Sequence, residues 1–503
     1  MKKRKIVSKI FFGFLIFISF ILITGANYIK STFGNVTTEE IVFNLMVPLR
    51  GTEMTSVNNY FKEPFMWSLL MSFFISFILF FESNNKIELN FKFKKIKLKG
   101  IIYPFKKIFS NSVIIIFLII SIIYFICKLD IYQYIKNQLD DSILIQKEYV
   151  NPKKTKINFP DKKRNLIYIY LESMESSYAS YEEGGTFDEN LISELTQLSN
   201  ENISFSNTEK LGGAQSVPGT TWTIGSIVSQ TSGLPLKISI TDNSISKYNT
   251  FLPGAYTLGD ILKKNGYNQE FILGSDASFS KRDSYFKYHG NYKIYDLNYA
   301  INNKKMKEED KVWWGFEDRN LFEWSKEELL KLSKKDKPFN FTMLTVDTHF
   351  EDGYLSDYCD KKYDEQYSNV ISCSSKQVYD FVNWVKKQDF YEDTTIIISG
   401  DHLTMDIDFF ENIDKKYVRT VYNVFINPAI EPVNEKNRTF TTMDMFPSTL
   451  AAMGVEIKGD RLGLGTNLFS SGKTLAEKYG IKKLRNELDK TSKYYNEQFL
   501  YKK

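Results

Sequence analysis

Histidine is scarce in this 503-residue chain, with three in all, and two of them stand beside carboxylates where apolar runs end. Asp401 and His402 follow TTIIISG, Asp347 and His349 follow FNFTMLTV, and Glu172 follows NLIYIYL. Glu172, Asp401 and His402 together offer two oxygen donors and one nitrogen donor, a set that suits a hard or borderline divalent cation such as Mg²⁺, Mn²⁺ or Zn²⁺. The plainer reading of one strand-end Asp-His pair is that it closes a turn. A group of hydroxyls, Thr220, Thr221 and Thr223, follows the bend Pro218-Gly219 in GGAQSVPGTTWTIGSIVSQTSGLPL (212–236). A hydroxyl at the helix start expected there either caps the helix or attacks phosphate, with backbone N–H groups and a metal offsetting the negative charge.

These side chains need a frame. Apolar runs of strand length recur at 165–173, 267–276, 339–349, 394–402 and 422–428, separated by helical-looking stretches at 255–265, 318–333 and 374–388. Near-continuous apolar strands alternating with amphipathic helices predict a mainly parallel sheet covered on both faces, the doubly wound α/β arrangement. Ligands of such sheets bind beyond the carboxyl ends of the strands. Glu172, Asp276, Asp347, His349, Asp401 and His402 all fall there.

The length corresponds to about three domains at ~150 residues each, but polarity is unevenly spread. Three uncharged runs, 10–29, 64–81 and 108–127, each approach the ~20 apolar residues that cross a bilayer core. Eight lysines lie between Lys86 and Lys107, and the positive-inside rule makes that loop cytoplasmic. Everything after Asp130 is then extracytoplasmic. The first run follows the basic start MKKRK, so a cleaved signal peptide rivals the anchor reading; its length favours an anchor. The division expected is a membrane anchor over 1–129, a connector over 130–164, an extracytoplasmic catalytic domain over 165–470 and a polar tail over 471–503. The net charge of +5 belongs largely to the basic loop, and the interleaving of Lys and Arg with Asp and Glu elsewhere argues against nucleic acid as a partner. Cys127 reads as a small hydrophobe buried in the third span. Cys359 and Cys373 form either a loop-closing disulfide or two free thiols.

Taken in order, a strand ending LES, a PGT turn, a strand ending DTH and a strand ending GDH resemble the alkaline phosphatase and sulfatase superfamily. More narrowly, the chain resembles the membrane-anchored phosphoglycerol transferases, which include lipoteichoic acid synthase and the osmoregulated periplasmic glucan phosphoglycerol transferase. The likeness runs over about 165–470, and PGTTWTIGSIVSQTSGLPL is its most specific piece, closer to the glucan enzyme. It implies an alkaline phosphatase-like fold behind three transmembrane helices. It also implies that Glu172, Thr220, Asp401 and His402 hold one divalent metal, Mn²⁺ or Mg²⁺ ahead of Zn²⁺, with Thr220 also the nucleophile. His349 and Arg282 would contact the substrate phosphoglycerol, with Asp276 beside them. The tryptophan that the family places two residues before the arginine is Ser280 here. His289, in KYHGNY, is expected to be structural.

The activity so implied is transfer of phosphoglycerol from phosphatidylglycerol to an envelope glycan or glycerophosphate acceptor, through a covalent phosphothreonine-type intermediate. It would take place at the bacterial cytoplasmic membrane in a multi-pass protein. The alternatives are a phosphoethanolamine transferase or phosphodiesterase with the same site, and a non-catalytic envelope-binding protein. A type I sulfatase is disfavoured, because its formylglycine is made from Cys or Ser and a threonine cannot yield that aldehyde.

Overall fold

The computed structural model describes residues 2–34, 36–46, 55–80, 107–238, 250–406, 408–411 and 413–501. The chain divides into two compact units, Met1–Val36 with Met54–Gln133, and Thr37–Glu53 with Tyr134–Lys503.

The first unit is helical. Its long elements are α1 (Lys2–Thr32), then, beyond α2 (Thr38–Met46) of the second unit, α3 (Met66–Phe80) and α4 (Lys107–Lys128). Ile6–Thr32, Asn111–Lys128 and Thr55–Ile78, the last joining α3 to the helical stretch 55–65 before it, are long and apolar enough to cross a membrane by length and composition. At 1.5 Å per residue the shortest spans about 27 Å, close to the ~30 Å of a hydrocarbon core. The second helix starts before the uncharged run, because the chain carries Glu63 and Pro64 through one wide π-turn, Phe61–Phe65. Such a turn accommodates the N–H that proline lacks. Cys127 is exposed, not buried as expected, since a helix in so small a bundle keeps an outward face. The lysine-rich loop lies, over 81–106, outside the described residues.

The second unit is built on a six-stranded sheet: β1 (Asn165–Leu171), β2 (Asn268–Leu273), β3 (Lys293–Tyr295), β4 (Phe339–Leu344), β5 (Thr394–Gly400) and β6 (Asn423–Ile426). The order is β3-β2-β4-β1-β5-β6, parallel throughout except for β6. The short β3 was not legible among the apolar runs. Along β1, Leu166, Tyr168 and Tyr170 enter one core, while Ile167, Ile169 and Leu171 enter another. That alternation places an apolar layer on each face of the sheet. Helix α5 (Thr223–Ser232) packs into the first layer. After α6 (Arg282–Tyr288), helices α7 (Asp318–Leu332) and α8 (Gln366–Val385) pack into the second.

Of the segments expected as connector and tail, the residues from Tyr134 onward belong to this unit. Leu144 and Ile145 are buried, and Ile157 pairs with Ile457. Glu148 accepts from Lys478 at 2.9 Å and from the Tyr479 hydroxyl at 2.6 Å. Leu484, Leu488, Tyr495 and Phe499 are buried as well. Their few apolar residues sit on one face, so average polarity concealed the packing.

Two buried carboxylates fasten the loop after β4. Asp318, first in α7, accepts the Val346 and Asp347 N–H groups at 2.8 and 3.1 Å, and Asp347 accepts the Asp318 N–H at 3.1 Å. Burial, reinforced by Glu172 and Glu317, pushes Asp318 up to about 7, and burial together with Asp318 raises Asp347 well above its ordinary value. The folded state thus binds protons that the unfolded chain has released above about pH 4. The stability tied to that binding is present at acid pH and falls as pH rises through about 7. Asp347→Asn keeps an oxygen for the Asp318 N–H and removes the charge. It should raise the melting temperature at pH 8 by about 1–2 °C, the scale of ~1 kcal/mol in a unit this large, and by less at pH 5; thermal unfolding at the two pH values checks this.

Candidate active site

The register of two parallel strands brings the acidic residues together. Leu171 of β1 lies opposite Gly400 of β5, so the next residues, Glu172 and Asp401, leave the sheet side by side. Asp401 Oδ1 accepts the N–H groups of Ser173 and His402, at 2.8 and 2.7 Å. The Glu172 N–H donates to Thr345 Oγ1 at 2.9 Å, and Thr348 Oγ1 donates to the Glu172 carbonyl at 2.6 Å. His402 Nδ1 bonds the Leu403 carbonyl at 2.8 Å, which fixes that nitrogen as the donor and turns Nε2 toward Glu172 Oε1 (3.4 Å) and Asp401 Oδ2 (3.5 Å).

These three residues are at most 3% exposed, and each offers a ligand atom within 4.8 Å of the others. Asp401 Oδ2 is buried with no hydrogen-bond partner among the described residues, an arrangement that calls for an explanation. A divalent cation fits: an orphaned carboxylate oxygen, a second carboxylate, and an imidazole whose other nitrogen is tied to a carbonyl. The charges agree. Burial opposes a charged His402, yet Asp401 and Glu172 outweigh it and push the imidazole up to about 10. Burial likewise raises Glu172, but His402 and His349 outweigh it and bring the carboxyl down to about 2. Asp401, beside Glu172 in the same dry pocket, is pushed up to about 7, by burial first.

Of the three threonines, Thr223 meets this cluster. It opens α5, and its Oγ1 lies 3.4 Å from Glu172 Oε2 and 3.4 Å from His402 Nε2. Thr220, expected as ligand and nucleophile, is committed elsewhere: its hydroxyl donates to the Val217 carbonyl at 2.9 Å and accepts the Val217 N–H at 3.1 Å, fully buried. It closes the turn that Gly219 makes at φ +81°.

Arg282 is 5% exposed at the start of α6. Its guanidinium donates to Ser275 Oγ (3.0 Å) and to the carbonyls of Asp276 (2.9 Å) and Phe279 (3.2 Å). Burial lowers it to about 10, partly offset by Glu172 and then Asp276. Asp276, expected to touch substrate, holds this loop in shape: its carboxylate accepts the Ser278 N–H at 2.8 Å. His349 is half-buried, with Nδ1 on the Phe350 carbonyl at 2.8 Å; burial lowers it, against the pull of Glu172. His289 is structural, both ring nitrogens being taken by Asp260 (2.9 Å) and the Phe251 carbonyl (2.7 Å).

One residue near the cluster carries no signal in the sequence. Glu40, in α2 of the same unit, is buried, and its carboxyl is pushed up to about 7, by burial first, with His402 opposing and Glu172 adding. Phe43, one turn on, packs on Trp222 with ring centroids 5.9 Å apart, next to Thr223. TTEEIVF reads only as an ordinary helix start. The other side of the site is stapled by a disulfide, Cys359–Cys373, which ties the chain beyond His349 to α8. A loop of this size contributes about 3 kcal/mol through the unfolded chain.

Because a metal ligand must be unprotonated, cation binding has to displace the proton that His402 holds. The affinity for Mn²⁺, read by calorimetry on chelator-treated protein, should therefore rise between pH 6 and pH 8. Asp401→Asn should weaken it by about 100-fold or more at either pH, beyond the 10-fold minimum seen when only an outer partner is lost.

A family model for sulfatases matches residues 164–455. Phosphoglycerol transferase I of Escherichia coli (strain K12) is 33% identical over 341 residues, which are 65% of this chain and 41% of that protein; the chain thus spans about two-fifths of the length of the curated relatives it matches. The integral membrane protein lipooligosaccharide phosphoethanolamine transferase A from Neisseria meningitidis aligns at a TM-score of 0.51 and 12% identity, over 90% of this chain and 84% of that one, a likeness of fold alone. The lipoteichoic acid synthase LtaP from Listeria monocytogenes aligns at a TM-score of 0.48 and 18% identity, over 63% and 79%. The family match takes in all six strands of the sheet together with Glu172, Thr223, Asp401 and His402, and the chain belongs to the sulfatase family.

Proposed function

We propose that the protein transfers a phosphoglycerol group from phosphatidylglycerol to a hydroxyl of an envelope glycan or glycerophosphate chain, through a covalent intermediate on Thr223. The observation that carries this reading is the Thr223 hydroxyl, 3.4 Å from both Glu172 Oε2 and His402 Nε2, in a chain 33% identical to phosphoglycerol transferase I. The threonine assignment thereby moves three residues along from Thr220. Glu172, Asp401 and His402 would hold a divalent ion, Mn²⁺ or Mg²⁺ ahead of Zn²⁺, which when bound offsets negative charge on the nucleophile and the phosphate oxygens.

The chain's own groups account for the rest. Thr223 opens α5, where unpaired N–H groups and the positive end of the helix favour an anion. Its hydroxyl points its proton at Glu172 Oε2. The Thr223 oxygen gives up its proton as it attacks phosphorus, the new O–P bond forms, the bond to the diacylglycerol oxygen breaks, and that oxygen takes up one proton from water, so that protons balance over the step. An acceptor hydroxyl then attacks the same phosphorus and gives up its proton, and the threonine O–P bond breaks, restoring Thr223. Two displacements of this kind give ping-pong kinetics. Arg282 and His349 supply positive charge and a donor for the remaining phosphate oxygens. Arg282 is held by three hydrogen bonds before any substrate arrives, and such preorganisation is worth most in a dry site. A lipid donor fits a chain with three helices able to cross a membrane, and the disulfide supports the extracytoplasmic placement of this unit.

Thr223→Ala should lower diacylglycerol release from phosphatidylglycerol vesicles by about 10³-fold or more and abolish the mass adduct on the α5 peptide. Thr220→Ala should keep both while lowering the melting temperature, since it loses only its turn. The reading falls if Thr223→Ala keeps the adduct, or if phosphatidylethanolamine alone yields diacylglycerol.

A further inference from the structure

The turn Val312–Gly315 violates the chemistry of its own geometry. Val312 and Gly315 exchange both backbone hydrogen bonds, each 2.8 Å, which leaves Trp313 and Trp314 as the two central residues of the tightest hairpin connection. Such turns call for Gly, Asn or Asp where φ is positive. Here Trp313 is held at φ +44°, a conformation that a bulky L-residue adopts only when its surroundings impose it. Nothing in the core repays this, because neither tryptophan belongs to either buried apolar cluster.

The turn is seated firmly. Gly315 forms an antiparallel bridge with Ser275, the Phe316 N–H donates to the Gly274 carbonyl at 3.0 Å, and a Cβ on Gly315 would lie 1.9 Å from that carbonyl. Ser275 is the residue that accepts from Arg282. The indoles are thus carried by the same strand end as the arginine. Trp314 lies 4.9 Å from the His349 ring and 5.2 Å from Phe279. Trp313 lies 5.9 Å from His349 and runs nearly parallel to Tyr354, at 28° with centroids 6.4 Å apart. Trp313, Trp314 and Tyr354 are all half-exposed.

We infer that Trp313 and Tyr354 form a stacking subsite for a neutral hexopyranose ring of the acceptor, next to the phosphate site at His349 and Arg282. This rests on the transferase reading above and names the acceptor class that the site prefers. An aromatic face offers an apolar, electron-rich surface to the C–H face of a sugar ring, and the rim decides between the two acceptors. Glu317, Asp347 and Asp357 lie close enough to raise the Tyr354 hydroxyl, after burial. Carboxylates there accept hydrogen bonds from sugar hydroxyls and repel the anionic backbone of a glycerophosphate chain.

Direct binding to the full-length protein in detergent, without lipid donor, tests this apart from the chemistry. Laminarihexaose and an oligo(glycerol phosphate) are the probes, and calorimetry is the readout. Laminarihexaose should bind more tightly than the anionic oligomer. Trp313→Gly should weaken it about tenfold or more while melting no lower than the wild type, because glycine relieves the φ +44° turn. A purely structural Trp313 predicts the reverse, a lower melting temperature with unchanged affinity, and that result overturns the subsite. So does preference for the anionic oligomer, or absence of laminarihexaose binding by the wild type. Failure of the transferase reading would appear separately, as absence of diacylglycerol release.

Discussion

Two carboxylates leave adjacent parallel strands at the same level, and their mutual repulsion in a dry pocket sets the terms for everything around them. Glu172 and Asp401 are neighbours because Leu171 and Gly400 are in register. A slip of one residue would turn one of them to the opposite face of the sheet. Buried carboxylates need hydrogen bonds and counter-charge, and both are supplied by chain close at hand. Asp401 takes two backbone N–H groups, His402 stands between the acids, and Arg282 and His349 approach from the ends of β2 and β4. The family fold is, in this sense, a way of assembling four strand ends around one excess of negative charge.

The sheet was legible in the sequence where apolar runs were long enough to be central strands, and Glu172, Asp401 and His402 were legible because each directly follows such a run. Three other features were not. Thr220 and Thr223 differ only by position within a turn, and which one faces the cluster depends on the path at Gly219 and on α5 starting at Thr223, neither of which a motif specifies. The Asp318 and Asp347 clasp joins residues 29 apart that each look like ordinary strand-end or helix-start acids. Glu40 lies far from every motif and reaches the neighbourhood of His402 because α2 belongs to the same compact unit as the sheet. The tail over 471–503 shows its packing in few residues for a related reason: Leu484 and Leu488 sit one turn apart in an otherwise polar helix, and they are the two of its residues that are buried.

Some of the chain's left-handed non-glycine residues lie in the same region. Ser173, Ser280, Lys281 and Trp313 all hold positive φ, at +52°, +53°, +56° and +44°, and each lies within two residues of a side chain already placed at the site or displays its own ring there. Such conformations cost roughly 1–3 kcal/mol each and persist only where surrounding packing over-determines them. Ser173 shows what is gained. In its left-handed conformation its N–H reaches Asp401 Oδ1 while its hydroxyl reaches Glu172 Oε1 at 2.9 Å, so one residue restrains both acids. Glycine would adopt that backbone without strain but lacks the hydroxyl, and the hydroxyl in an extended backbone would lose the N–H contact. Strain at Ser280 and Lys281 likewise lets the chain double back so that Arg282 bonds the carbonyls of Asp276 and Phe279. The site is therefore rigid before any ligand arrives, and the two central layers of apolar side chains are what make that rigidity affordable.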